Sequence, residues 1–198
     1  MAARDKPLGV ILAGGEGRRI GGGKPFVPLA GKALIAHVID RLAPQCARLA
    51  INANGATDRF TTLGLPVVAD GPDGGQGPLS GVLAAMDWAA AQGASRVLTA
   101  PVDTPFLPED LATRLAAVDA PIVLAAAADG VHGTCGLWDI DLRDNLAAAL
   151  SRGVRKVTEF TEAHGALPVT FPDTRPPPFF NVNSAEDLEA AEDLLAGW

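Results

Sequence analysis

The chain is poor in cysteine, poor in positive charge and free of long apolar runs, and each shortage removes a class of protein. Its two cysteines, Cys46 and Cys135, stand far apart. No metal or redox motif uses such a spacing, so they read as isolated, reduced thiols of a cytoplasmic protein. No stretch approaches the ~18–20 apolar residues of a membrane span, and no signal peptide precedes Leu8. The 16 Lys and Arg against 23 Asp and Glu leave a net charge of −7. A general binder of nucleic acid or anionic membrane carries the opposite balance. Repeats and low-complexity blocks are lacking too. The densest punctuation is Pro176-Pro177-Pro178, which reads as a stiff extended connection. No Ser-His or Cys-His arrangement suggests a nucleophile. His132 and His164 have no partners at ligand spacing, and His37 falls in a predicted helix as a packing or surface residue.

A length of 198 residues with 48% hydrophobic composition suits one core-forming domain, or one with a small appendage. Heavy use of alanine and glycine favours close packing of helix on sheet. Periodicity predicts strands at Leu8–Leu12, Arg48–Asn52, Leu65–Asp70, Arg96–Val102, Pro121–Ala127 and Leu167–Phe171. It predicts helices at Lys32–Ala43, Ala56–Leu63, Leu79–Ala91, Pro108–Val118, Arg143–Leu150 and Arg155–His164. Asp129–Asp139 reads as a loop or hairpin. Ser184-Ala185-Glu186-Asp187 resembles a capping box opening a last helix with Leu188, Ala191 and Leu195 on one face. The alternation of strand and helix is that of an α/β fold with a mostly parallel sheet and right-handed crossovers.

The most informative stretch is Val10–Lys24. A short apolar run ends in glycines, and Arg18, Arg19 and Lys24 follow within the same loop. Glycine lets the backbone approach a ligand closely with its N–H groups presented. Three cations beside it indicate an anion, most simply a polyphosphate. The loop is not a dinucleotide fingerprint, because Gly15-Glu16-Gly17-Arg18-Arg19-Ile20 lacks the third glycine and the second strand ends in Asn52-Ala53-Asn54. It is not a P-loop either, because Gly23-Lys24 runs into Pro25 where a hydroxyl is required.

Ligands of parallel sheets bind beyond the carboxyl ends of the strands. Here the first strand ends at Ala13-Gly14-Gly15, the second at Asn52, the third at Asp70 and the fourth at Asp103. One such residue is commonplace, since Asn, Asp and Gly also end strands for turn reasons; four beside a basic loop predict a shared site. Asp103 has two readings, a magnesium ligand or an Asx turn before Pro105. Asn181 and Asn183, two apart, share one face of an extended segment while Phe180 and Val182 take the other; they read as site residues or as a polar strand edge. Arg18 reads equally as a ligand or a surface ion-pair partner.

Leu12-Ala13-Gly14-Gly15, Arg18-Arg19, Gly21-Gly22 and Lys24 resemble the L-A-G-G-x-x-x-R-M-G-x-D-K signature of nucleotidyltransferases. Ile51-Asn52-Ala53-Asn54, Val68-Ala69-Asp70, Gly77-Pro78-Leu79-Ser80-Gly81, Pro101-Val102-Asp103-Thr104-Pro105 and Asn181-Val182-Asn183-Ser184 extend the likeness along nearly the whole chain. Together they resemble the molybdenum cofactor guanylyltransferases, the MobA family. Two departures stand out. Gly23 occupies the place of the family's acid before the lysine, and His132-Gly133-Thr134 replaces a His-Pro-Thr segment.

The resemblance implies a three-layer Rossmann-like fold in a single domain, 1–198, with a nucleotide-binding half at 1–105 and an acceptor-binding half at 106–198. It implies transfer of GMP from GTP to the phosphate of molybdenum-molybdopterin, with pyrophosphate released. Leu12, Ala13, Gly14 and Gly15 are then expected to hold the nucleotide by their backbone, Lys24 and Arg19 to neutralise its phosphates, and Asn52 and Asp70 to bind guanosine. Asp103 is expected to bind Mg2+, with Asn181 and Asn183 near the metal and the incoming phosphate. The segment Arg152-Gly153-Val154-Arg155-Lys156 suits that phosphate, or is a solvated helix start. Transient contacts with molybdopterin-delivery proteins and molybdoenzymes are implied, and neither nucleic acid nor membrane. The competing readings are a cytidylyltransferase for the same cofactor, a sugar-phosphate nucleotidyltransferase and a non-catalytic cofactor carrier.

Overall fold

The computed structural model describes residues 6–14, 23–55, 57–71 and 77–197. The first strand, β1 (Leu8–Leu12), lies near the middle of a seven-stranded sheet. Its side chains alternate: Val10 enters one apolar cluster and Ile11 the other, both fully buried. A two-stranded ribbon of β2 (Pro28–Leu29) and β3 (Lys32–Ala33) follows. The first long helix, α1, spans Leu34–Leu42. It starts two residues later than its periodicity predicts, because Lys32 and Ala33 pair with β2. Leu34, Ile35, Val38 and Leu42 are buried as the helical spacing requires.

Next come β4 (Arg48–Asn52), α2 (Asp58–Thr61), β5 (Val67–Val68), α3 (Pro78–Ala91) and β6 (Arg96–Pro101). They are followed by α4 (Leu111–Ala116), β7 (Ile122–Ala127), β8 (Gly130–Asp139), α5 (Arg143–Ser151), α6 (Val157–Ala163), β9 (Leu167–Thr170) and α7 (Ala185–Ala196). The sheet order is β5-β4-β1-β6-β8-β7-β9. All neighbours are parallel except β8, which runs antiparallel to both β6 and β7. Leucines of α4 and apolar residues of α1 cover one face, and α3, α5 and α6 cover the other. This is the mostly parallel sheet that the alternating pattern predicts, in the three-layer arrangement that the resemblance implies.

Other bounds differ from the sequence pattern as well: β5 keeps only Val67–Val68 of the expected Leu65–Asp70, and α6 starts at Val157. Pro108 does not open α4, which begins at Leu111. The Gln45 carboxamide donates to the Pro108 carbonyl at 2.8 Å and accepts from Ala112 N–H at 2.9 Å, so a side chain from a distant turn caps this helix. On α3, Ala85 and Ala89 are fully buried and Leu83 and Ala90 only partly, because small residues let this helix lie close on the sheet.

The 130–139 segment resolves to the return strand of a hairpin. Its register with β7 shifts between Leu124 and Ala125. A buried polar chain holds the irregular part: Trp138 Nε1 donates to Thr99 Oγ1 at 2.8 Å, which donates to the Thr134 carbonyl at 2.8 Å. Antiparallel β8 therefore delivers its amino end to the rim where the parallel strands deliver their carboxyl ends.

Candidate active site

At that rim the sheet hydrogen bonding continues past the strands. Ala13 N–H donates to the Asn52 carbonyl at 2.8 Å, Ala53 N–H to Val68 at 3.1 Å, and Val102 N–H to Leu12 at 3.0 Å. Val182 N–H donates to the Asp103 carbonyl at 2.9 Å, which seats the segment before α7 against the end of β6. The result is a hollow of about 550 Å³ walled by Leu12, Gly14, Asn52, Asn54, Asp70, Gly77, Gly81, Asp103, Thr134 and Asn181, among others. Hollows of similar size at the opposite end of the sheet and beside α4 gather no such set of strand-end residues.

The sequence-predicted residues divide as follows. Gly14, Asn52, Asp70, Asp103, Asn181 and Leu12 face the one hollow. Lys24 and Asn183 stand behind Asp103: Lys24 Nζ donates to Asp103 Oδ2 at 2.7 Å and to Asn183 Oδ1 at 2.6 Å. Ala13 is buried and its N–H is engaged by the Asn52 carbonyl. Leu12 likewise commits its carbonyl to Val102, which leaves Gly14 as the first residue of this strand past the sheet ladder. Gly15 and Arg19 lie outside the described residues, as does Arg18.

Lys24 sits in a short 3-10 turn, Lys24–Phe26, and is itself only 9% exposed. Gly23 precedes it with φ +68°, a left-handed conformation that glycine adopts without strain. A Cβ there would also lie 2.8 Å from the Arg59 guanidinium, which stacks on Phe26. Glycine in place of the family's acid thus fits the local geometry.

Asp103 makes no Asx turn among the described residues. The bend is held instead by Thr104 Oγ1, which donates to the Pro101 carbonyl at 2.9 Å. Asp103 Oδ2 is paired with Lys24, while Oδ1 is buried without a hydrogen-bond partner. Such an atom costs about 1–3 kcal/mol, and a ligand that reaches it relieves the cost.

Asn181 and Asn183 are exposed on one side of their segment and Val182 is fully buried on the other, so the alternation holds. Asp187 fixes the backbone of Asn183: its Oδ2 accepts from Asn183 N–H at 2.8 Å and Ser184 N–H at 2.9 Å. The hydrogen bond from Asn183 is the main cause that holds the Asp187 carboxyl below its usual range. Ser184 completes the capping box by accepting from Asp187 N–H at 3.1 Å.

Three neighbours of the site escape a reading based on strand ends. Asn54 bonds Asp70 twice; the two-residue spacing that pairs Asn181 with Asn183 also pairs it with Asn52. Gly81 touches Asn52 so closely that a Cβ would fall 2.5 Å from Asn52 Oδ1. Thr134 arrives on β8. In the basic segment, Arg155 donates to the Leu150 and Val154 carbonyls at 2.7 and 2.9 Å and so closes the end of α5. The histidines are structural: His37 donates to the Leu29 carbonyl at 3.0 Å, His164 to Phe160 at 2.8 Å, and His132 lies 3.1 Å from Asp129.

A family model described as the MobA-like NTP transferase domain matches residues 9–167. The chain is 51% identical over 190 residues to the molybdenum cofactor guanylyltransferase of Cereibacter sphaeroides, covering 95% of this chain and 96% of that one. It is 48% identical over 196 residues to the molybdenum cofactor guanylyltransferase of Bradyrhizobium sp. (strain ORS 278), covering 95% and 92%. In fold it is similar to molybdopterin-guanine dinucleotide biosynthesis protein A from Archaeoglobus fulgidus, with TM-score 0.78 and 22% identity over 96% of this chain and 100% of that one. The chain belongs to the MobA-like NTP transferase family and is a nucleotidyltransferase.

Proposed function

We propose that this chain transfers GMP from GTP to the terminal phosphate of molybdenum-molybdopterin, giving the guanine dinucleotide cofactor and pyrophosphate. The observation that carries the reading is the convergence of Gly14, Asn52, Asp70, Asp103 and Asn181 on one hollow, with Lys24 bonded directly to Asp103. Relatives about half identical to it are named for guanylyl transfer to this cofactor.

An acceptor phosphate oxygen attacks the α-phosphorus of GTP; the new P–O bond forms as the bond to the β-phosphate oxygen breaks, and pyrophosphate leaves. The acceptor is a phosphate monoester with a second pKa of ~6, so it is ionised at neutral pH and needs no side-chain base. That agrees with His37 and His164 bonded to backbone carbonyls and His132 set against Asp129, none of the three lining the hollow. The enzyme's work is alignment and charge neutralisation. Lys24 supplies positive charge at the phosphates. Asn181 faces the hollow and Asn183 holds Lys24 in place.

Mg2+ fits the donor set. No group of three His, Cys, Asp or Glu that could cage a metal exists among the described residues, and Mg2+ commonly takes one or two carboxylates together with substrate phosphates. Asp103, with its orphaned Oδ1, is the residue that would hold it. When bound, the ion neutralises triphosphate oxygens and the leaving pyrophosphate. We place the reaction in the cytoplasm; no helix among the described residues is long and apolar enough to cross a membrane. Exchange of cofactor with delivery proteins and molybdoenzymes belongs to the same proposal.

The test is pyrophosphate release from GTP, CTP, ATP and UTP with molybdopterin as acceptor. Release from GTP well above the others is expected. Release from CTP alone overturns the base assignment, and tight binding without release makes the chain a carrier.

A further inference from the structure

Asn181 enters the hollow from a turn whose backbone is under strain. Phe179 has φ +63°, a left-handed conformation, although it is neither glycine nor a short polar residue. A bulky side chain there is a genuine outlier, and such strain persists only where the surroundings impose it. The turn is closed by Phe180 N–H, which donates to the Pro177 carbonyl at 3.4 Å. Pro178, at its second position, has φ fixed negative by its ring. Positive φ at the third position then makes this a type II turn, with Phe179 at the place glycine usually takes. A Pro-Phe pair ordinarily folds as type I, with φ negative at both residues.

What imposes the strained form is the ring. Phe179 is fully buried. Its ring meets that of Phe171, the residue after β9, edge to face with centroids 5.2 Å apart, and lies tilted against the His132 ring at 4.7 Å. His132 stands on β8 two residues before Thr134, which walls the hollow. The next residue, Phe180, leans on Phe106 at 6.2 Å. Downstream, Val182 N–H bonds the Asp103 carbonyl, and Asn183 is held by Asp187 and Lys24. None of these bonds reaches Asn181. Its place at the hollow is left to the backbone between the strained turn and Val182.

We infer that Phe179 is a positioning residue for the transfer step: its ring, wedged between Phe171 and His132, holds the turn in the form that aims Asn181 into the hollow. The inference rests on the guanylyl-transfer reading above and takes Asn181 to serve the incoming phosphate. Phe179 itself touches no reacting atom. With a smaller side chain the turn relaxes to negative φ, the peptide between residues 178 and 179 turns over, and Asn181 shifts. Lys24, Asp103 and Asn183 keep their own bonds. A displacement of about 1 Å at a group that aligns the reactants lowers turnover by up to roughly a hundredfold.

The experiment is a double-mutant cycle on the full chain: wild type, Phe179→Leu, Asn181→Ala and the double variant. Pyrophosphate release from GTP gives kcat and the KM for molybdopterin, calorimetry gives GTP affinity, and thermal melting checks the fold. Phe179→Leu is expected to lower kcat at least about tenfold while GTP affinity stays within about twofold of wild type. The double variant is expected to be no more than about twofold slower than Asn181→Ala, because two residues acting through one group do not add. A merely structural role gives losses that multiply. Should Phe179→Leu melt too low to assay, Phe171→Leu, which removes one wall of the ring's seat, supplies the cycle. Multiplying losses, a phenylalanine variant with wild-type kcat, or an Asn181→Ala enzyme as fast as wild type overturns the inference and leaves guanylyl transfer standing. A wild type that releases pyrophosphate only from another triphosphate overturns the guanylyl reading alone, and the cycle is then run with that triphosphate. A wild type that releases none overturns both, before any variant is made.

Discussion

Lys24 Nζ lies 2.7 Å from Asp103 Oδ2, joining residues 79 apart in sequence, and the pair is largely shielded, with side-chain exposures of 11% and 20%. Lys24 is thus the counter-charge of Asp103, the carboxylate proposed above to hold the metal. A cation in that position competes with a divalent ion for the same oxygens.

The Lys24→Met variant is therefore expected to change two affinities in opposite directions. It removes the charge that meets the triphosphate, so GTP binding weakens at least about tenfold. It also frees Asp103, so Mn2+ used as a probe binds the nucleotide-free protein more tightly than it binds wild type. Paramagnetic resonance of free Mn2+ reports the second effect and calorimetry the first. The fold is expected to lose less than the ~3–5 kcal/mol of a fully buried broken pair. If neither affinity moves, Lys24 is a structural lysine.

A second expectation concerns Gly81, inside α3. Gly→Ala in a helix interior is ordinarily stabilising by ~0.5–1 kcal/mol. Here the added Cβ would lie 2.5 Å from Asn52 Oδ1 and 3.2 Å from Leu12 Cδ2. Asn52 cannot swing aside without breaking bonds to Val68 and Asp70. Overpacking costs ~1–3 kcal/mol, so the clash outweighs the helix gain. Gly81→Ala is expected to melt lower than wild type and to bind GTP several-fold more weakly. A higher melting temperature with unchanged binding would show that the Asn52 end is soft.

The legible parts of this chain were those governed by local chemistry. The bounds of β1 and β4 follow from apolar runs closed by Gly14 and Asn52, and the start of α7 from Ser184 and Asp187 within one turn. The convergence of strand ends on a hollow was legible because parallel connectivity puts them at one rim. What resisted reading depends on distant partners. The ten residues of β8 do not alternate cleanly, because Gly133 and Gly136 replace side chains where Val157 and Leu124 press against the strand. The late start of α4 depends on Gln45, and the Lys24–Asp103 bond on a fold that brings two loops together. Asn54 was visible as a residue, but its grip on Asp70 was not.

The Thr99 hydroxyl supports a third expectation. It is fully buried, accepts from Trp138 Nε1 and donates to the Thr134 carbonyl. Thr99→Val keeps the shape and leaves both partners unsatisfied, at about 1–3 kcal/mol for a buried polar group. Chemical denaturation should show that loss, and Thr99→Ser should restore most of it. Because Thr134 stands in the wall of the hollow, the acceptor KM is expected to rise in Thr99→Val more than kcat falls. A variant as stable as wild type would mean that water replaces the hydroxyl.

The last expectation follows from Asp187. Its carboxyl lies below the ordinary value of 3.8, first because Asn183 N–H bonds to it, with Ser184 adding to the effect and partial burial opposing it. A group whose pKa is depressed by folding contributes stability above its unfolded value and loses it as pH falls through the folded one. The window for this contribution therefore opens near pH 3.8 and extends downward. Protonation releases the N–H groups of Asn183 and Ser184, undoing the capping box and the placement of the residue that holds Lys24. Urea unfolding from pH 6 to pH 3 should show wild type losing its advantage over Asp187→Asn as the acid limit is approached. At pH 6 the variant should be the less stable of the two, and its GTP binding weaker, because Asn183 no longer fixes the lysine. Parallel stability curves for the two proteins across that range would remove Asp187 from this role and leave Asn183 to be positioned by Val182 and its bond to Asp103 alone.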